Sequence, residues 1–259
     1  MDTISQNLLL GLIVGGFVGA ASGYLGSVMV LKRMALVGDA LSHVALPGIG
    51  IALTYHLNPF LGAFAALGIG VLLVWNIKRA TTIPTEALIG LMFAASLAIG
   101  ILITPEPELF ESLFGNIAKV KLVDGVLAIV LSIIVLAVTS LIRGKLILGL
   151  ISPDLAKAQK IKIEIFELLF LILVAAIVAL GVKVVGVLLM GALVIIPAAA
   201  AKNVAANLKV YGIVSAALGA SSALLGVWAA NKFSLPPGPT IVLIGIAIFL
   251  TTLISAKKS

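Results

Sequence analysis

The chain has 259 residues, 62% hydrophobic and 10% charged, with 17 basic and 10 acidic side chains, a formal net charge of +7 and no cysteine. A soluble domain carries roughly 25% charged residues, so this composition excludes a water-soluble enzyme or binding module; the absence of cysteine excludes a disulfide framework, a thiolate metal site and a Cys nucleophile. The length suits about nine apolar spans of roughly 20 residues, which predicts an all-α polytopic integral membrane protein with eight to nine transmembrane helices, forming one transmembrane domain over residues 1–259 in the lipid bilayer.

The first span is expected at Leu8–Leu31. Asp2 precedes it and Lys32 and Arg33 follow, the reverse of a secretory signal, so it reads as a mature helix. Gly11, Gly15, Gly19 and Gly23 recur every four residues, a small-residue stripe for close helix approach, within the chain or between copies.

The second span, Met34–Tyr55, carries the chemistry. Asp39 and His43 lie about 8 Å and about 14 Å into a slab of about 30 Å when counted from Met34 at 1.5 Å per residue. An ionisable group at that depth needs a partner or a wet cavity. Four residues apart, the two share one helix face, with Ser42 at its edge. Carboxylate oxygen and imidazole nitrogen together suit Zn²⁺, Mn²⁺ or Fe²⁺. A mutual bond that locks packing, or a proton relay, would use the same pair. Pro47 cannot donate to the His43 carbonyl, so that oxygen is freed and a bend is expected beside Gly48 and Gly50. Two ligands are too few for a divalent ion, which commonly takes four or more. A homodimer with this helix beside its two-fold axis would supply two Asp and two His. His56, at the far end of the span, would either assist ion entry or sit at the interface as an ordinary histidine.

Further spans are expected at Pro59–Ile77, Glu86–Ile103 and Leu122–Ile142, with Glu86 in the first turn of its helix and an acidic loop at Pro105–Glu111. The segment 143–164 reads as the longest loop on the basic side. Within it, Ser152 at an N-cap, Pro153 at N1 and Asp154 in the first turn, followed by Leu155 and Ala156, predict a short helix outside the membrane. Spans then follow at Ile165–Val182, Val184–Ala201, Val210–Ala230 and Pro239–Ser255. Only Lys183 separates the first two of these, and Pro197 interrupts the second, which is therefore expected to be short or broken.

With alternating spans, thirteen of the seventeen Lys and Arg fall on one side. The positive-inside rule makes that side cytoplasmic, with the N-terminus outside and the C-terminus inside. The net charge is thus a topology signal, and no nucleic-acid partner is expected. No G-x-x-x-x-G-K-[ST] run occurs, so the chain is not an enzyme that hydrolyses nucleotide, and any ATP drive belongs to another subunit.

The run Lys32–Gly48, containing Val37-Gly38-Asp39-Ala40-Leu41-Ser42-His43, closely resembles the hallmark segment of the ABC-3 family, the permeases of zinc, manganese and iron ABC importers. Leu113–Ile117 is similar to that family's external loop, Val185–Leu189 with Ile196–Ala199 to its late broken helix, and Leu235–Pro239 to the turn before its last span. The resemblance implies a homodimeric metal permease that works with a cytoplasmic ATPase pair and an extracytoplasmic metal-binding protein. It implies that Asp39 and His43 line the path of a divalent metal carried as substrate, with no permanently bound cofactor. Ser152–Ala158 then resembles the helix that couples to the ATPase, although Ser152 stands where the family usually has Asp and Lys160 where it usually has Gly. Competing readings are a proton-coupled secondary transporter using Asp39 and His43 as a relay, an ABC permease for a metal chelate, and a membrane scaffold.

Overall fold

A computed structural model describes residues 3–103 and 122–256. Among the described residues ten α-helices run in order: α1 Thr3–Leu31, α2 Ala35–Thr54, α3 Pro59–Ala80, α4 Thr85–Ile103, α5 Leu122–Ile151, α6 Pro153–Ala158, α7 Ile163–Val185, α8 Met190–Lys202, α9 Leu208–Phe233 and α10 Pro237–Ala256, with a 3₁₀ turn, Val187–Leu189, between α7 and α8. No strand occurs among the described residues. Among the described residues seven helices are long and apolar enough to cross a membrane, and two shorter apolar ones, Ala87–Ile103 and Met190–Lys202, accompany them. The acidic loop Pro105–Glu111 and the Leu113–Ile117 match lie outside the described residues.

Local chemistry sets the helix ends. Asn58 and Asn207 cap α3 and α9, their side-chain oxygens accepting from Phe60 N–H (2.9 Å) and Val210 N–H (3.0 Å). Ser152 occupies the N-cap of α6 with Pro153 at N1, as expected, but its hydroxyl makes no capping bond.

Glycine permits the tightest helix contacts. Gly19 and Gly23 lie directly against the backbone carbonyls of Gly219 and Ser215 on α9, and Gly26 against that of Val194 on α8. The α1 stripe is therefore used within the chain at Gly19 and Gly23, and none of the three positions leaves room for a Cβ. Gly48 of α2 and Gly62 of α3 meet in the same reciprocal way. The interior is built mainly from α1, α2 and α7, with Phe170, Leu25, Met29, Leu41, Leu46 and Ile177 fully buried. α10 is the most peripheral span, and Leu243, Leu250 and Ile254 project from it.

Two expectations need correction. The fifth helix does not stop at Ile142 but continues to Ile151. Arg143 and Lys145 end the apolar run without ending the helix, because both are good helix formers and find partners: Arg143 Nη1 donates to the Leu208 carbonyl (3.2 Å), and Lys145 Nζ lies 4.5 Å from the Phe166 ring centroid. The expected loop 143–164 is thus mostly helix. The broken segment is interrupted at Gly186, with φ 92° and ψ 164°, whereas Pro197 sits within the continuous helix α8. That backbone conformation is essentially open only to glycine.

At one end of the bundle, Lys32 and Lys78 both pair with Glu167, at 2.8 Å and 3.0 Å, and Arg79 stands 4.0 Å from Glu164. The ends of α1 and α3 are thereby joined to the start of α7. A cleft of about 430 Å³ opens beside these pairs, lined by Val74, Trp75, Lys78, Arg79, Glu164, Glu167 and Leu171.

Candidate metal centre

Asp39 and His43 sit one turn apart on the N-terminal half of α2. The helix forms there without a side-chain cap, and its apolar residues Val37, Leu41, Val44 and Ala45 are buried. His43 is buried at 6% exposure and Asp39 is half-buried.

The imidazole meets Phe93 of α4 edge-on, with ring centroids 4.8 Å apart and planes at 90°. His43 Nδ1 is buried and takes no hydrogen bond within the protein. No bond joins it to Asp39, so the pair is not a self-satisfied packing lock. A buried imidazole nitrogen with an uncommitted position is what a coordinated cation would use.

Asp39 rests on the broken segment. A methyl group placed on Gly191 would lie 2.5 Å from Asp39 Cβ, 2.8 Å from its Cα and 2.8 Å from Oδ1. One turn further along α2, fully buried Ser42 donates through Oγ to the Val187 carbonyl (2.7 Å), with the Asp39 carbonyl as a second acceptor at 2.6 Å. The hydroxyl is therefore committed to backbone carbonyls.

Pro47 lies within α2, which stays helical on to Thr54. Gly100 of α4 gives it room, since a Cβ there would stand 2.7 Å from Leu46 Cβ and 3.5 Å from Pro47 Cδ. Gly48 meets Gly62 on the opposite side. The proline segment is thus held between α3 and α4 beyond His43.

His56 is exposed and in the left-handed region, φ 54°, as the residue that closes α2. Thirteen residues beyond His43, about 20 Å along the helix axis, it is not brought to the centre. In α6, Ala156 is fully buried against α5 and Leu155 is exposed, so the short helix is anchored on one face and open on another. Glu86 falls in the first turn of α4.

The centre joins α2, α4 and the turn between α7 and α8. Phe93 and Gly191 could not be assigned to it from local pattern, whereas Gly186 and Val187 fall in a segment already marked by resemblance. Among the described residues no group of three or more His, Cys, Asp or Glu converges.

Similarity to characterised proteins runs through the whole chain. It is 34% identical over 98% of its length to the manganese import system permease protein ScaB of Streptococcus gordonii, covering 91% of that protein. It is 30% identical over 95% of its length to the manganese transport system membrane protein MntC of Listeria monocytogenes, covering 90% of it. The solved structure of PsaBC from Streptococcus pneumoniae in complex with Fab superposes with a TM-score of 0.84 at 28% identity, covering 97% of this chain and 91% of that one. The model of the ABC 3 transport family matches residues 5–256. With its multi-pass helical architecture and full-length match, the chain belongs to the ABC 3 transport family, as a membrane permease and not an enzyme.

Proposed function

We propose that the chain is the permease subunit of a manganese importer, in which Asp39 and His43 form half of the transient site that Mn²⁺ occupies on its way to the cytoplasm. The observation that carries this reading is the Asp39–His43 pair in the apolar interior, with Nδ1 of the imidazole uncommitted. Carboxylate oxygen and imidazole nitrogen are hard and borderline donors that suit Mn²⁺ and also accept Fe²⁺ or Zn²⁺. The manganese permeases named among its relatives favour the first.

Two ligands per chain call for a second copy, so the working unit is a homodimer with four side-chain ligands around one ion. A metal-binding protein delivers the ion from outside, and a separate cytoplasmic ATPase pair drives alternating access. The end of the bundle that carries Lys32, Lys78, Arg79 and α6 faces the cytoplasm, in keeping with the positive-inside rule. There α6 is the contact for the ATPase, buried through Ala156 and presenting Leu155.

Uptake of labelled Mn²⁺ by cells expressing the transporter tests the centre. Asp39→Ala and His43→Ala each reduce uptake to background while membrane abundance stays at the wild-type level. Wild-type uptake in either variant would refute the assignment.

A further inference from the structure

The feature left unexplained by the two ligands themselves is the ground beneath them. The Cα, Cβ and Oδ1 of Asp39 fill the space that a Cβ would need on Gly191, at the first turn of α8. That turn follows the interruption at Gly186, where φ 92° turns the chain out of α7. Ser42, 0% exposed and three residues beyond Asp39, donates to the Val187 carbonyl in the middle of the interruption. The same α2 surface that holds a ligand is therefore fixed to the break at two points, one steric and one hydrogen-bonded.

We propose that Gly191 and Ser42 are positioning residues for metal binding: the broken segment Gly186–Gly191 is the seat that sets where the Asp39 carboxylate points relative to the His43 imidazole, and so sets metal affinity and preference. This rests on the reading of Asp39 and His43 as the metal ligands. The physical argument is one of space and freedom. A carboxylate side chain has two rotatable bonds, and on an open helix face it would sample several rotamers. The close approach of Gly191, whose Cβ position is already taken by the Cα, Cβ and Oδ1 of Asp39, limits that freedom from one side. Any Cβ at position 191 must move Asp39 or rotate α2. The Ser42 bond resists that rotation, because its acceptor belongs to the segment that would have to give way. Residues that hold a ligand without touching the metal typically change metal affinity by about 10–100-fold when altered.

The test measures Mn²⁺ uptake kinetics and the competition of Mn²⁺ with Zn²⁺ and Fe²⁺ in cells making the whole transporter. Four variants are compared: Gly191→Ala, Ser42→Ala, Asp39→Ala and Gly226→Ala. Gly226 is the packing control, because a Cβ there would stand 2.5 Å from the Ile241 Cα, as close a clash as at Gly191, between α9 and α10. Gly191→Ala and Ser42→Ala are expected to raise the KM for Mn²⁺ by about tenfold or more and to alter the order of preference among the metals. Maximal uptake per transporter should change less than KM. Gly226→Ala lowers abundance without moving KM or preference. If Gly191→Ala fails to accumulate, Ser42→Ala decides alone, since it removes one hydroxyl and adds no volume. KM and preference unchanged in Ser42→Ala, or changed equally in Gly226→Ala, overturns the inference. Asp39→Ala separates the two levels: wild-type uptake there defeats the ligand assignment itself. Loss of uptake in Asp39→Ala, with Ser42→Ala and Gly191→Ala behaving like the packing control, defeats only the proposed seat.

Discussion

Lys160 holds φ 56° immediately after α6, and among the described residues it is one of four non-glycine residues in the left-handed region, with Arg33, His56 and Ser234. All four close a helix in the same way. The next residue's N–H reaches back five positions, as in Met34 to the Met29 carbonyl (2.9 Å), Leu57 to Ala52 (2.7 Å), Ile161 to Ala156 (3.0 Å) and Leu235 to Ala230 (2.9 Å). This is the Schellman pattern, whose pivotal position usually carries glycine. A side chain there costs about 1–2 kcal/mol, which explains in physical terms why glycine is the usual residue where this chain has Lys160. Replacing Lys160 by glycine relieves that strain and partly offsets the gain by freeing the unfolded chain, so the expected net stabilisation is about 0.5 kcal/mol. A thermal unfolding series in detergent would register it as a small rise in melting temperature, and a fall would refute the argument. His56 has the same backbone role, so its imidazole is not needed to account for its position at the end of α2.

Glu167 belongs to the scale of the elements, because its carboxylate is shared by the end of α1 and the end of α3. The two partners differ in consequence. The Lys32 side chain is 9% exposed, whereas that of Lys78 is 43% exposed. An exposed pair contributes little, about 0–1 kcal/mol, but a buried ammonium left without its acceptor costs about 1–3 kcal/mol. Glu167→Gln is therefore expected to destabilise the bundle more than Lys32→Met, which leaves Glu167 still paired with Lys78. The double variant Lys32→Met, Glu167→Gln should recover most of the loss, and a double-mutant cycle of thermal stability in detergent measures it. Equal losses in the two single variants would contradict this reading.

Helix boundaries show what the sequence does and does not make legible. The apolar runs locate the nine apolar helices among the described residues, because every crossing segment must satisfy its own backbone and bury an apolar surface. They misplace the end of α5, because Arg143 and Lys145 mark where the apolar run stops and not where helical hydrogen bonding stops. Pro197 looks like the stronger breaker, but a missing N–H can be tolerated within a transmembrane helix. The left-handed backbone at Gly186 cannot continue a right-handed one. In the candidate centre, Asp39 and His43 were legible as ionisable residues in an otherwise apolar run. Phe93 and Gly191 were not, since their role comes from contacts between distant segments and neither residue type is unusual where it stands.

At the scale of the whole molecule, the proposed sharing of one ion between two copies sets a stoichiometric expectation. If both copies share one ion, a tandem-linked dimer with Asp39→Ala in only one half should transport no better than the doubly substituted form. Half of the wild-type uptake would instead mean two independent paths, one in each copy. Measured uptake per linked dimer separates these outcomes without any structural assumption about the interface.

The continuation of α5 to Ile151 has a mechanical consequence. Between it and α6 only Ser152 is non-helical, and even that residue is bonded on both sides, its N–H to the Leu148 carbonyl (2.9 Å) and its carbonyl from the Ala156 N–H (3.1 Å). The nine residues past Ile142 extend about 14 Å along the axis. They form a stiff arm with almost no slack at the elbow. A load applied to α6 would therefore pass directly into α5 instead of being absorbed by a compliant linker.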